Sequence, residues 1–149
     1  MSLQTKVIDA LKEAMKAKDT IALESLRAIK SAILLAKTEA GAAAELAEEE
    51  ELKLLQKLVK QRKDSAALYA QQGRNDLAEP ELAQVAVIEK FLPKQLSEAE
   101  VTEAVKAIIA EVGATSAKDM GKVMGVATKQ LAGKTDGKVI SAIVKSLLA

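Results

Sequence analysis

The sequence predicts an all-α, multihelical protein, and three observations carry that expectation. Apolar residues make up 49% of the chain, yet there is one Phe and one Tyr. The core must therefore be built from Ala, Leu, Ile and Val, unlike the large β sandwiches and barrels that lean on aromatic and β-branched residues. The rest is rich in Lys and Glu with only two prolines, a composition that favours helix. Finally, the apolar residues recur at three- and four-residue intervals rather than in alternation.

Leu3, Val7, Leu11 and Met15 form one stripe of a first helix. Lys18-Asp19-Thr20 interrupts it, and Asp19 or Thr20 can accept the free amide protons of a second helix. That helix carries Leu26, Ile29 and Ile33 on one side, and Ala40-Gly41-Ala42 ends it. A short connection implies an antiparallel helical hairpin. Four acids, Glu48 to Glu51, open the third helix at the positive end of its dipole. Consecutive residues point around a helix, so they do not converge on a metal ion. Leu52, Leu55, Val59, Ala66 and Tyr69 form the apolar side of this helix. Gly73-Arg74-Asn75-Asp76 is a turn signal. A fourth helix follows from about Leu77 to Phe91, with Pro80 in its first turn, where a missing amide proton costs little.

Pro93 disfavours helical geometry at Leu92, so Phe91 to Leu96 reads as a joint. The expected division is a helical subdomain with its hairpin at 1–94 and a three-helix bundle at 95–149. Ser97 and Glu100 make a capping box ahead of Val101, Val105, Ile108, Ile109 and Val112, and Gly113 closes that helix. Thr115 or Ser116 opens the sixth helix and Gly133 closes it. Thr135 or Asp136 opens the seventh, whose apolar face is Val139, Ile140, Ile143, Val144, Leu147 and Leu148.

The absence of Cys and His removes thiol nucleophiles, Ser–His relays, the usual zinc ligands and disulfides. No catalytic residues, no metal and no cofactor are expected. No apolar run is long enough to span a membrane. The N-terminal residues Met1 to Lys16 carry charges at short intervals and no signal-peptide core, so a cytoplasmic protein is expected.

Net charge is +1 but unevenly spread. Residues 1–112 hold 16 Lys/Arg against 19 Asp/Glu, whereas residues 113–149 hold 6 Lys against 2 Asp. A basic C-terminal end is a footprint for a polyanion. With so few aromatics, a stacking platform for single-stranded bases is excluded.

The most informative segment is Lys118-Asp119-Met120-Gly121-Lys122-Val123-Met124-Gly125. On a helical wheel Met120, Val123, Met124, Ala127 and Leu131 share one side, which faces the core. Lys118, Lys122, Gly125 and Lys129 share the other, with Gly121 at its edge. Each glycine costs about 1 kcal/mol relative to Ala inside a helix, so two in one helix require a reason. Either they let another backbone approach beside a lysine stripe, or they let a neighbouring helix of the chain pack tightly. Gly133-Lys134-Thr135-Asp136-Gly137-Lys138 is the second candidate. It is either an anion site at a helix N-terminus or a simple connecting turn. The strand and first glycine of a nucleotide-binding loop are missing, which excludes nucleotide hydrolysis there. Lys53, Lys57 and Lys60 share a face of the third helix with Asp64 and are a lesser candidate. Arg27 and Arg62 are read as structural, paired with Glu24, Glu39 or Asp64.

Four stretches together resemble the GatB/YqeY family along nearly the whole chain. They are Leu26-Arg27-Ala28-Ile29-Lys30-Ser31-Ala32-Ile33, Lys60-Gln61-Arg62-Lys63-Asp64-Ser65, Phe91-Leu92-Pro93-Lys94-Gln95-Leu96-Ser97, and Lys118 to Gly125 followed by Gly133-Lys134 and Asp136-Gly137. The resemblance implies two helical subdomains, the second a three-helix bundle. The same module forms the tail of the B subunit of the tRNA-dependent amidotransferase, where it contacts tRNA while the chemistry belongs to other parts. It therefore implies a tRNA-binding accessory module, not catalytic by itself, with tRNA as partner through Lys118, Gly121, Lys122, Gly125, Lys129, Lys134, Gly137 and Lys138. The alternatives are a module that docks a tRNA-handling enzyme, or a component of a glutamine-dependent carbon–nitrogen ligase.

Overall fold

The computed structural model describes residues 2–41 and 45–149, with Ala40 described in its backbone alone. Among the described residues there is no strand, and seven α-helices account for most of the chain. They are α1 (Leu3–Ala17), α2 (Thr20–Ala40), α3 (Glu48–Gln71), α4 (Asn75–Glu89), α5 (Glu98–Val112), α6 (Met120–Gln130) and α7 (Gly137–Leu148). The chain divides into two compact units, Met1–Leu92 and Pro93–Ala149. The all-α expectation holds.

In the first unit the break between α1 and α2 is built by two residues. Lys18 turns the chain in the left-handed conformation, φ 55°, and its amide donates back to the α1 carbonyls of Ala14 and Met15. Asp19 then caps α2, its Oδ1 accepting the Ala22 amide at 3.1 Å. The core joins Leu3, Val7 and Ala14 of α1 to Leu26, Ile29 and Ile33 of α2, Leu55 and Val59 of α3, and Val85 and Ile88 of α4. Each of the larger side chains contributes about 1.5–3 kcal/mol through burial. Met15, expected on the buried stripe, is exposed instead. Steps of four residues precess by about 40° each, so the stripe drifts off the core by its fourth member. Ala14 lies nearly beneath Leu3 and takes the buried place. The end of α2 falls at Ala40, with Gly41 as its cap; Ala42, the third residue of the expected break, lies outside the described residues.

The fourth helix starts earlier than expected. The Arg74 carbonyl accepts the amides of both Leu77 and Ala78, so Asn75 and Asp76 form the first turn rather than a loop. Pro80 is consequently the sixth residue of α4, beyond the first turn, and removes one internal hydrogen bond.

The second unit packs α5, α6 and α7 around Val101, Val105, Ile108, Val123, Ala127, Leu131, Ile140, Ile143, Val144 and Leu148. Ser97 and Glu100 form the capping box of α5, and Gly113 ends that helix at φ 70°. Three expectations need correction. The sixth helix begins at Met120, not at Thr115 or Ser116. Here the Asp119 carboxylate accepts the Thr115 amide, which closes a loop, and Ala117–Asp119 form a 3-10 turn before regular helix can start. The same helix ends at Gln130, because a turn closed by the Lys134 amide on the Leu131 carbonyl supervenes before Gly133. Val139 is exposed, at the edge of the apolar face of α7.

Candidate nucleic-acid interface

Helix α6 is short and two-sided. Val123 and Ala127 are fully buried, and Met120 and Met124 pack half-buried against the same core, as the wheel requires. The opposite side presents Gly121, Lys122, Gly125 and Lys129, all exposed. A Cβ added at Gly121 or Gly125 meets no heavy atom within 4 Å. Among the described residues of this unit no neighbouring helix closes on these glycines, so tight packing within the bundle does not account for them. Backbone freedom does not account for them either, since neither has positive φ.

The lysines around this face are uncommitted. The side chains of Lys118, Lys122, Lys129 and Lys138 have no hydrogen bond or ion pair among the described residues. Lys118 lies in the 3-10 turn at the entrance to α6, not on the helix itself, so its wheel position does not apply. Neither α6 nor α7 contains an acid within its span; the acids nearest to them, Asp119 and Asp136, stand at their N-caps. By contrast α5 carries Glu98, Glu100, Glu103 and Glu111 against one lysine. The positive charge of this unit is thus concentrated on α6, α7 and the turns before them.

The two N-caps shape what an anion can reach. The Thr115 amide chiefly, then that of Ser116 and the nearby charge of Lys122, hold the Asp119 carboxyl below its ordinary value. At α7, Asp136 Oδ1 accepts the Lys138 amide at 3.0 Å. A carboxylate therefore occupies part of the space that an incoming phosphate would take at this helix end. Gly137, the first residue of α7, is exposed with open space about it. The preceding turn has a structural task of its own. The Gly133 carbonyl accepts Gln95 Nε2 at 2.6 Å, and the Lys134 carbonyl accepts the Leu96 amide at 2.9 Å. Lys134 is only half-buried, so its ammonium retains access to solvent. Asp136 is one of the two residues the sequence offered to open α7, and it is the N-cap; the clasp on Gln95 and Leu96 was not evident in the sequence.

In the first unit, Lys53, Lys57 and Lys60 are exposed on the side of α3 opposite Leu55, Val59 and Ala66, which is the place of an ordinary solvated face. Arg62 pairs with none of Glu24, Glu39 and Asp64. It donates instead to the Gln84 side chain and the Leu58 carbonyl. Arg27 is exposed and has no ion pair among the described residues. Among the described residues no three acids could hold a metal ion, and no helix is long and apolar enough to cross a membrane.

Comparison with known proteins matches residues 4–148 to the family described as Yqey-like protein. Over 123 residues the chain is also 35% identical to a protein of Clavispora lusitaniae named altered inheritance of mitochondria protein 41, mitochondrial. That alignment covers 81% of this chain and 69% of the relative.

Proposed function

The chain belongs to the family of Yqey-like proteins, and from that premise we propose that it is a tRNA-binding accessory module with no reaction of its own. The observation that carries the proposal is the bare outer face of α6, where Gly121 and Gly125 look into open space between unpaired lysines. A sugar–phosphate backbone can lie close against such a face, and the ammonium groups of Lys118, Lys122, Lys129, Lys134 and Lys138 supply its counter-charges. Gly137 adds no side chain beside the Asp136 cap at the start of α7.

Because each N-cap is an aspartate, phosphates are met from the sides of α6 and α7 rather than on their axes. No aromatic residue lies beyond Phe91, so contact is with backbone and shape rather than stacked bases. The competing reading places a tRNA-handling enzyme on the same face. The unpaired lysines favour the polyanion. A role within a glutamine-dependent carbon–nitrogen ligase would require every reacting group to come from a partner. We propose the cytoplasm as the compartment; the name of the Clavispora lusitaniae relative is mitochondrial, and fractionation of the native protein decides between them.

The test is to purify the chain under gentle salt and sequence the RNA that remains with it. Enrichment of tRNA over its abundance in total RNA supports the proposal. Equal recovery of all structured RNA, or of none, removes tRNA as the partner and moves the protein-docking reading ahead.

A further inference from the structure

Arg62 is a half-buried cation with no ion pair among the described residues. Its Nε donates to Gln84 Oε1 at 2.8 Å and its Nη1 to the Leu58 carbonyl at 3.1 Å, both neutral acceptors. Among the described residues its Nη2 has no hydrogen-bond partner, and Nη1 has one hydrogen to spare. Arginines withdrawn from water are ordinarily matched by a carboxylate. Arg74 shows the usual arrangement in this same unit, with Nε and Nη2 both on the Asp76 carboxylate at 3.0 and 2.9 Å.

Of the acids that could have served Arg62, two are engaged elsewhere. Glu89 of α4 is held by Lys63 at 3.3 Å. Glu24 of α2 accepts Gln84 Nε2 at 3.2 Å, which places a neutral amide between that carboxylate and the guanidinium. Asp64 is exposed and forms no ion pair among the described residues. The relay Glu24–Gln84–Arg62 therefore fixes the guanidinium across α2, α4 and α3 while leaving it without a direct ion pair among the described residues. A pre-organised planar donor of this kind suits the fork geometry of an oxyanion.

We propose that Arg62 is an anion-docking residue of the first unit, and that its ligand is a phosphate group. This does not depend on the reading of α6. The phosphate has two possible sources, the backbone of a nucleic acid or a small phosphate compound, and the experiment separates them.

The full chain is followed by the Arg62 Nε–H resonance during titration with inorganic phosphate, and separately with tRNA. Three variants accompany it. Gln84→Glu gives Arg62 an internal carboxylate, so it keeps the tether to α4 and cancels the charge. Arg62→Lys keeps the charge and loses the fork. Lys57→Ala, on the solvated side of α3, is the control. The expected result is a saturable shift with phosphate of the Arg62 Nε–H and of the backbone amide at position 62, the latter serving for Arg62→Lys, weakened by about tenfold or more in Gln84→Glu and Arg62→Lys and unchanged in Lys57→Ala. If the same two variants also weaken tRNA binding, the source is nucleic acid. If only the inorganic phosphate curve moves, the source is a small phosphate compound. An Arg62 resonance indifferent to phosphate, or a Gln84→Glu chain that binds phosphate like the parent, overturns the proposal and leaves Arg62 as a tether between helices.

Discussion

Ser97 and Glu100 satisfy each other's backbone. The Glu100 amide donates to Ser97 Oγ at 3.2 Å, and the Ser97 amide donates to Glu100 Oε1 at 3.1 Å. Replacing Ser97 with Ala should destabilise the second unit by about 1 kcal/mol, measured by denaturant unfolding. The Ser97 amide, followed by its side chain, also holds the Glu100 carboxyl below its ordinary value of 4.5. A depressed carboxyl contributes stability that is present above its unfolded pKa and lost as pH falls through the folded one. Glu100→Gln should therefore flatten the acid-side loss of stability below about pH 4.5. An unfolding midpoint that falls with acid as steeply as in the parent would contradict this role for Glu100.

Gly121 and Gly125 sit in regular helix with room for a side chain. Gly121→Ala and Gly125→Ala should each raise stability by roughly 0.5–1 kcal/mol, because Ala removes the entropic cost of glycine in a helix. Gly113→Ala should do the opposite, since that residue holds φ 70° at the end of α5. Thermal unfolding of the three variants checks both signs. Destabilisation by the α6 substitutions would mean that the outer face is covered.

The functional proposal makes a separate demand on the same helix. Affinity for tRNA should fall as salt rises, with a log–log slope of about −0.9 per phosphate neutralised on duplex RNA treated like B-form DNA. Lys122→Ala and Lys129→Ala should each reduce that slope by about one unit. Gly125→Leu should weaken binding by bulk while leaving most of the slope in place. Variants that remain folded and match the parent at every salt concentration would remove this face as the binding site.

Lys18 pays a conformational cost that glycine would avoid. It is the one non-glycine residue with positive φ among those described. Lys18→Gly should raise the stability of the first unit by up to about 1 kcal/mol, because a left-handed L-residue costs roughly 1–2 kcal/mol and the added chain entropy returns part of it. Chemical denaturation of the full chain, followed by a signal from Tyr69, measures it. A less stable variant would show that the Lys18 side chain supports the corner in some further way.

Most helices were legible because their signals are local. The capping box at Ser97, the glycine at 113 and the Asp at 19 need only neighbours within a turn to act. The misplaced boundaries involve competition within a few residues. Asp119 could either sit inside a helix or bond back to Thr115, and sequence pattern does not weigh those two uses. The candidate face was legible as a wheel, but whether a neighbour covers Gly121 and Gly125 depends on how three helices meet. The Arg62–Gln84–Glu24 relay joins residues up to 60 positions apart through a neutral side chain, and charge matching along the sequence points to the acids instead.

Gln95 and Leu96 lie ahead of α5, yet they are bonded to the turn between α6 and α7. For anyone excising the bundle, this sets where the scissors go. A fragment begun at Ser97, the visible start of helix, strips the donors from the Gly133 and Lys134 carbonyls and loosens the very turn that carries Lys134 towards α7. A fragment begun at Pro93 keeps both bonds, together with the Pro93 carbonyl that also accepts from Gln95 at 3.1 Å. The extended stretch after the joint is thus the N-terminal strap of the bundle, and any RNA measurement on an isolated C-terminal piece depends on leaving that strap attached.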